Sequence, residues 1–566
     1  MDGNLYTVDL SGGACTVDIT FEESTVTYSV NVDVSGLAGS GLVLQNNGGD
    51  DLAIGTDGSF SFATDLAENA AYDVTVLTQP GGPQQLCRFD GTASGTATAD
   101  VNLSLSCGLA YHLLSATWGI EAASGTGTLV GGFLQPGMAM ADTINGQLVL
   151  TDTCEVFSYF DTRSPANSST VVADYGCLEA DEPIPAVFAT DGITANLPEE
   201  SEGGVTEAAW SLAMERVGSA GTTLGLPDAA MGLAISTASG TGFEAVSVNQ
   251  AFLARKSDGA TIGDLAGDWG VVRLELVNFE PGLEVNYSVL SFGATISDTG
   301  AEGDGEGTFA SLGDEVEADL QQFVDGTPVV KSEFFAQRTD ELFDLPISVA
   351  TDGAVNLTIA GEGGDPDQRI DGFMDPAGNL LVLATGLPSI GDVRADTVPA
   401  GTGETVHELL VGLRRGNAAD LNGRTYRLVG PGFFVGQYDF EINRWETGSQ
   451  IAFSEGNATI TLRDTFWTVP FANFGEGGIY EETAALETLP PLSYTVGGSG
   501  TTRAGMIEID ISDVVAPGEG FLTGYVQAGG QLLVLGLGTT DVTEDEPPVM
   551  EGGSINLIFG VCVSGC

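Results

Sequence analysis

The residues best equipped for chemistry are carboxylates on glycine-rich loops. The stretch DTGAEGDGEG carries Asp298, Glu302, Asp304 and Glu306, and GEGGDPDQ carries Glu362, Asp365 and Asp367. Related acidic loops are PEESEGG, with Glu199, Glu200 and Glu202, and SDVVAPGEG, with Asp513 and Glu519. Calcium takes roughly six to eight oxygen ligands from clustered carboxylates and carbonyls on loops that glycine lets turn tightly. Those first seven acids are therefore candidate Ca²⁺ ligands. Their spacing matches neither an EF-hand nor a nonapeptide repeat, so solvated acidic turns are the competing reading.

Other chemistry has little to draw on. There are two histidines, His112 and His407, which leaves a zinc site or a histidine-dependent triad without material. No G-x-S-x-G, P-loop or H-E-x-x-H pattern occurs. Glycine runs such as GTGTLVGG precede no helix and read as hairpin turns. Seven cysteines fall in local groups: Cys87 with Cys107, Cys154 with Cys177, and Cys562 with Cys566, leaving Cys15 alone. Disulfides Cys87–Cys107 and Cys154–Cys177 are expected, in an oxidising compartment. Cys15 is then the candidate to tie the ends together, or to bridge two chains, through Cys562 or Cys566.

The elements that position these residues are strands. Short runs of Val, Leu, Ile, Thr and Phe are punctuated by turn residues, with 80 glycines in 566 residues, and period-3.6 patterns are scarce. The net charge is −62, which repels nucleic acid and anionic lipid. No apolar run is long enough to form a spanning helix. The start, MDGNLYTVDL, lacks the regions of a signal peptide, so an exported form would be a trimmed one.

Residues 28–107 carry the Gly-Leu-x-Gly-x-Gly-Leu-Val-Leu run from Gly36, the DG-S-F-x-F hairpin at Asp57 to Phe62, the strand Tyr72 to Val76, and the Gln-x-Cys ending at Cys87. This segment resembles a small module of secreted and surface-anchored bacterial proteins. The resemblance implies a prealbumin- or immunoglobulin-type β-sandwich acting as a spacer or stalk. The remainder reads as three copies of one unit of about 150 residues. Each opens with a Leu and an aromatic (LSATWGI, LAGDWGV, LNGRTYRL). Each continues through an Asp-Thr strand end (Asp152, Asp298, Asp464) and a turn-led strand, and closes on AFLARKS, LLVGLRRG or LIFGVCVSG. The near-identical GNLLVLATG and GQLLVLGLG occupy one place in copies two and three. Their apolar runs are continuous, so this strand should be covered on both faces, by a barrel interior or second sheet and by a neighbouring domain. Trp269 in GDW with Arg414 at the close of that copy is similar to the pattern of calycin-type barrels.

The chain is thus expected to be all-β: an extension (1–27), a β-sandwich (28–107), and three antiparallel barrels or sandwiches (108–263, 264–419, 420–566), strung like beads. The function expected is that of an extracellular, non-catalytic structural protein of a bacterial surface: a filament, surface-layer or adhesin subunit. Self-association would run through the terminal strands, LYTVDL and TVTYSVNVDV at the start and INLIFGVCVSGC at the end. A glycan- or small-ligand-binding array, with Trp210, Trp445 and Trp467 as cleft candidates, is the alternative, and a glycan hydrolase the third reading. No cofactor other than Ca²⁺, no nucleic acid and no membrane insertion is expected.

Overall fold

The structure, a computed structural model, describes residues 26–123, 126–151, 153–161, 171–177, 182–217, 225–279, 284–298, 306–313, 315–323, 329–338, 343–359, 368–386, 405–436, 439–445, 448–470, 479–498, 501–515, 520–542 and 550–566. The chain is all-β and contains three closed eight-stranded antiparallel barrels. Barrel 2 shows the plan. Its strands are Gly267–Phe279, Glu284–Asp298, Glu306–Ser311, Asp344–Val349, Ala354–Ile359, Gln368–Met374, Leu380–Gly386 and Thr405–Arg414, and the first pairs with both the second and the last. The long second strand also carries a lateral hairpin, Glu315–Phe323 and Val329–Arg338. Barrel 1 repeats this between Val101–Ala123 and Phe243–Arg255, and barrel 3 between Thr425–Val429 and Met550–Ser564.

Ahead of barrel 1, two small sheets share one core. One contains Val30–Ser35, Gly58–Ser61 and Gln85–Phe89, the other Leu42–Asn46, Asp50–Ile54, Ala71–Thr78 and Ser94–Thr96. Val101–Ala123 is one continuous strand. Its start pairs in parallel with Val30–Ser35, and the rest belongs to barrel 1, so the expected break at 107/108 falls inside a strand. LYTVDL lies outside the described residues, and the described terminal runs are paired within the chain. Val30–Ser35 has partners on both sides. Met550–Ser564 closes barrel 3, bonded to Leu532–Val542 on one edge and to Thr425–Val429 and Pro431–Gly436 on the other. INLIFGVCVSGC thus has both edges filled within this chain.

The three barrels are not separate beads. Each has an interior core, and a further core takes residues from all three. The duplicated strand explains how, because its alternate side chains point to opposite faces. Leu381 and Leu383 fill barrel 2, while Leu380, Val382 and Ala384 enter the shared core. Leu533 and Leu535 fill barrel 3, while Leu532 and Val534 enter the shared core. The corresponding strand of barrel 1, Ala229–Gly240, uses smaller residues for the same purpose, with Ala230 inside and Ala229 and Met231 in the shared core. A strand buried on both faces has no polar side to alternate with, hence the unbroken apolar run.

Register also corrects the repeat alignment. Tyr111 faces Arg255 as Trp269 faces Arg414, so Tyr111, not Trp118, opens copy one. Trp118 lies seven residues further on, an odd offset, and therefore on the opposite face. There it meets Phe433 edge-on at 6.0 Å in the shared core. Asp298 ends a second strand, whereas Asp464 follows a third, so these two Asp-Thr landmarks are not equivalent, and Asp152 lies outside the described residues.

The copies close into a ring. His112, Gly270 and Arg427 occupy one position on the first strands, and Glu215, Phe373 and Tyr525 one position on the sixth. His112 of barrel 1 stacks on Phe373 of barrel 2, with centroids 5.6 Å apart. A Cβ on Gly270 of barrel 2 would lie 2.0 Å from the Tyr525 ring of barrel 3. Arg427 of barrel 3 forms an ion pair with Glu215 of barrel 1. One head-to-tail contact is thus made three times with three chemistries, and the third returns to the first barrel, as a closed cyclic assembly requires.

Candidate functional site: a carboxylate-lined cavity in barrel 2

The first strand of barrel 2 reads VVRLELV. Arg273 and Glu275 stand where period-2 alternation aims side chains toward the barrel mouth, after Trp269 and Val271 have filled its lower interior. Glu408 comes from the last strand, directly opposite Glu275. Glu315 and Glu317 come from the lateral hairpin, again two residues apart. Arg273 bonds Glu275 at 2.6 Å and Glu408 at 3.1 Å, and Ser311 donates to Glu315 at 3.3 Å. Glu315, Glu317 and Glu408 are 5%, 7% and 7% exposed, unusual depths for carboxylates.

Arg273, Glu315, Glu317 and Glu408 line a cavity of about 260 Å³ with Phe292, Phe309, Phe343, Leu357 and Ile370 as apolar wall. Burial dominates the Glu408 carboxyl, and Glu275 adds repulsion; together they outweigh the attraction of Arg273 and push it up to about 7. Burial works against the Arg273 charge, but the surrounding carboxylates of Glu275, Glu408, Glu317 and Glu315 hold the guanidinium above its ordinary value.

The other barrels build this position differently. Where barrel 2 has Arg273, barrel 1 has Ser115 and barrel 3 has Gly430; where it has Glu408, they have Asn249 and Asn556. Asn249 accepts from Thr117 at 2.9 Å and donates to Ser236, and Asn556 accepts from Trp445 at 3.4 Å. The charged version is confined to barrel 2 among the three. Below it, Arg414 lies 4.7 Å over the Trp269 ring and donates to the Ala266 carbonyl at 2.5 Å, sealing the opposite end of the barrel.

The predicted site residues lie elsewhere. Asp298 and Glu306 are exposed at the ends of adjacent strands, and Glu306 with Asp344 and Asn356 borders an open polar groove of about 500 Å³. Glu302, Asp304, Glu362, Asp365 and Asp367 lie outside the described residues, and among the described residues no three His, Cys, Asp or Glu are grouped to hold a metal. Disulfides join Cys87 to Cys107 and Cys154 to Cys177, each pair directly opposite across two strands. Cys562 is bonded to Cys566, so neither is free to take Cys15, which lies outside the described residues. That corrects the expected tie between the ends: a partner four residues away reaches a thiol more readily than a distant one.

Trp445 and Trp467 are core residues, 7% and 4% exposed, not cleft walls, and Trp210 donates to Glu207 at 3.0 Å. His112 and His407 are buried, and burial lowers each to about 4, so both are neutral at physiological pH. The sequence signal for the cavity was available: charged residues two apart, and so on one face of a strand, at Arg273/Glu275 and Glu315/Glu317. A scan for loops and motifs passes over it.

No protein-family model and no curated protein matches this chain. Among solved structures, a double mutant of transferrin binding protein B from Haemophilus parasuis is similar over 87% of this chain and 83% of its own, at 8% identity and a TM-score of 0.21. CdiB from Acinetobacter baumannii is similar over 85% of this chain and 66% of its own (9% identity, TM-score 0.14). OccK7 from Pseudomonas aeruginosa is similar over 81% and 98% (8% identity, TM-score 0.13). Likenesses at these scores carry no argument about function.

Proposed function

We propose that this chain is a non-catalytic binding protein working in an oxidising, extracellular setting, with barrel 2 as its binding unit and the other barrels as scaffold. The observation that carries this reading is the barrel 2 cavity, floored by buried charge at a position the other two copies fill with neutral residues. Burying Glu315, Glu317 and Glu408 together costs stability, and a ligand is what such a cost would serve. Three disulfides support the setting, and the acidic surface keeps a compact head soluble in salt. A surface-anchored role remains part of the proposal.

Glycan hydrolysis is a second reading, favoured by Glu408, whose raised pKa suits a general acid near neutral pH. The predominantly aliphatic and phenylalanine wall suits an apolar ligand better than a sugar. The test is a fragment screen by ligand-observed NMR on the full chain and on Leu357→Trp, which would fill the cavity. Fragments that contact the wild type and lose contact in the variant support the reading. A screen in which no fragment distinguishes the two proteins refutes it.

A further inference from the structure

The seams between barrels repeat one pair of positions. Directly after the residues paired with Tyr111, Trp269 and Tyr426 come Lys256, Arg415 and Val563. On the facing barrels, two residues ahead of those paired with Phe373, Tyr525 and Glu215, stand Asp352, Ala504 and Thr190. Lys256 meets the Asp352 carboxylate at 2.8 Å, and Val563 and Thr190 are both uncharged. Between barrels 2 and 3 the pair is uneven: Arg415 brings a charge and Ala504 brings none. Arg415 turns its Nη2 to Asp268 of its own barrel at 2.6 Å. Its Nη1 is buried and has no hydrogen-bond partner among the described residues.

A second donor lies beside it. Gly270 and Gly293 face each other across two strands of barrel 2, about 5 Å apart as such pairs are. The Tyr525 ring lies against Gly270, and Arg415 Nη1 lies 3.4 Å from where a Cβ on Gly293 would stand. The ring and the guanidinium are therefore neighbours. The Tyr525 hydroxyl is buried and likewise without a partner among the described residues. Burial pushes its phenol above the ordinary range, while Arg415 and then Arg503 pull against that, as nearby cations do. Arg503 is answered by Glu508 at 2.6 Å. Two buried donors, one of them on a cation whose Asp268 partner is 58% exposed, are best satisfied by an acceptor that carries negative charge.

We propose that the seam between barrels 2 and 3 binds one small monovalent anion of chloride's size, held by Arg415 Nη1 and the Tyr525 hydroxyl where Lys256 has the carboxylate of Asp352. Alanine in place of aspartate leaves room for a group no larger than a carboxylate, so the anion is compact and singly charged. The net charge of −62 does not prevent binding, because exposed charges more than about 8 Å away are largely screened at physiological ionic strength. The site is separate from the barrel 2 cavity and does not depend on it.

The test is urea unfolding of the full disulfide-bonded chain, with sodium chloride exchanged stepwise for sodium gluconate at constant ionic strength; gluconate is too large to enter. Ala504→Asp supplies the carboxylate within the chain and is the reference that cancels the general effects of the two salts. Relative to it, wild-type stability should rise with chloride and level off, the folding constant gaining tenfold where chloride reaches about nine times its Kd. Tyr525→Phe keeps the ring against Gly270 but loses the hydroxyl, and should weaken chloride binding about tenfold or more. If Ala504→Asp fails to fold, Tyr525→Phe becomes the reference. A wild type that follows its reference at every chloride concentration has at most water at the seam, and overturns the proposal. A chloride response that is unchanged in Tyr525→Phe overturns the residues named.

Discussion

The contact between barrels 2 and 3 turns on a missing side chain. An alanine Cβ at Gly270 would lie 2.0, 2.2 and 2.6 Å from three atoms of the Tyr525 ring, about 1.4 Å short of ordinary contact at the nearest. Tyr525 is fully buried and belongs to the shared core, so its ring has no open space to swing into. Gly270→Ala should therefore cost toward the upper end of the roughly 1–3 kcal/mol typical of overpacking. That outweighs the gain of about 0.5–1 kcal/mol expected when alanine replaces a strand glycine. Tyr525→Ala should cost about 3–5 kcal/mol through the cavity it leaves.

The double variant should cost little more than Tyr525→Ala alone, because removing the ring removes the clash. The coupling energy is then about 2 kcal/mol or more. Guanidinium unfolding followed by tryptophan fluorescence reads all four proteins, and Trp269 sits beside the substitution. Additive costs, or a Gly270→Ala protein as stable as wild type, would refute the ring-to-strand packing and with it the closed arrangement of barrels.

Three further outcomes are expected. Combining Arg427→Glu with Glu215→Arg, which exchanges the two charges, should recover most of the stability lost by either single reversal; both side chains are about a third exposed or more, so the pair itself contributes under about 1 kcal/mol, and failure of the double exchange to recover would count against the contact. Glu408 titrates near 7 folded against 4.5 unfolded, so the native state holds its proton longer; its contribution is full below 4.5 and is lost as pH rises through 7, and Glu408→Gln should remove that decline from a plot of unfolding free energy against pH. Replacing Cys154 and Cys177 by serine opens a loop with a sequence separation of 23 and should cost about 2–4 kcal/mol, whereas replacing Cys562 and Cys566, only 4 apart, should cost clearly less, both read by denaturant midpoint.

Local pattern alone determined much of this protein. Glycine and turn residues between short apolar runs specify strands, and three recurrences of one strand order specify three like units. The continuous LLVL run specified a strand covered on both faces, because burial on both sides leaves nothing to alternate. A strand buried inside and out at Leu380 to Leu383 follows from side-chain period, which is a property of neighbouring residues.

Tertiary structure decided what depends on residues far apart. Whether the barrels stand alone or share a core depends on which outward faces meet, and His112 with Phe373, Gly270 with Tyr525, and Arg427 with Glu215 have nothing in common as letters. Tyr111 and Trp118 both fit as the opening aromatic until cross-strand register assigns them to opposite faces. The cavity gathers Arg273, Glu315 and Glu408 from three distant strands, and only closure of the barrel brings their charges together. Spacing along the chain carries no record of that, because barrel closure is set by hydrogen bonds between the first strand and the last.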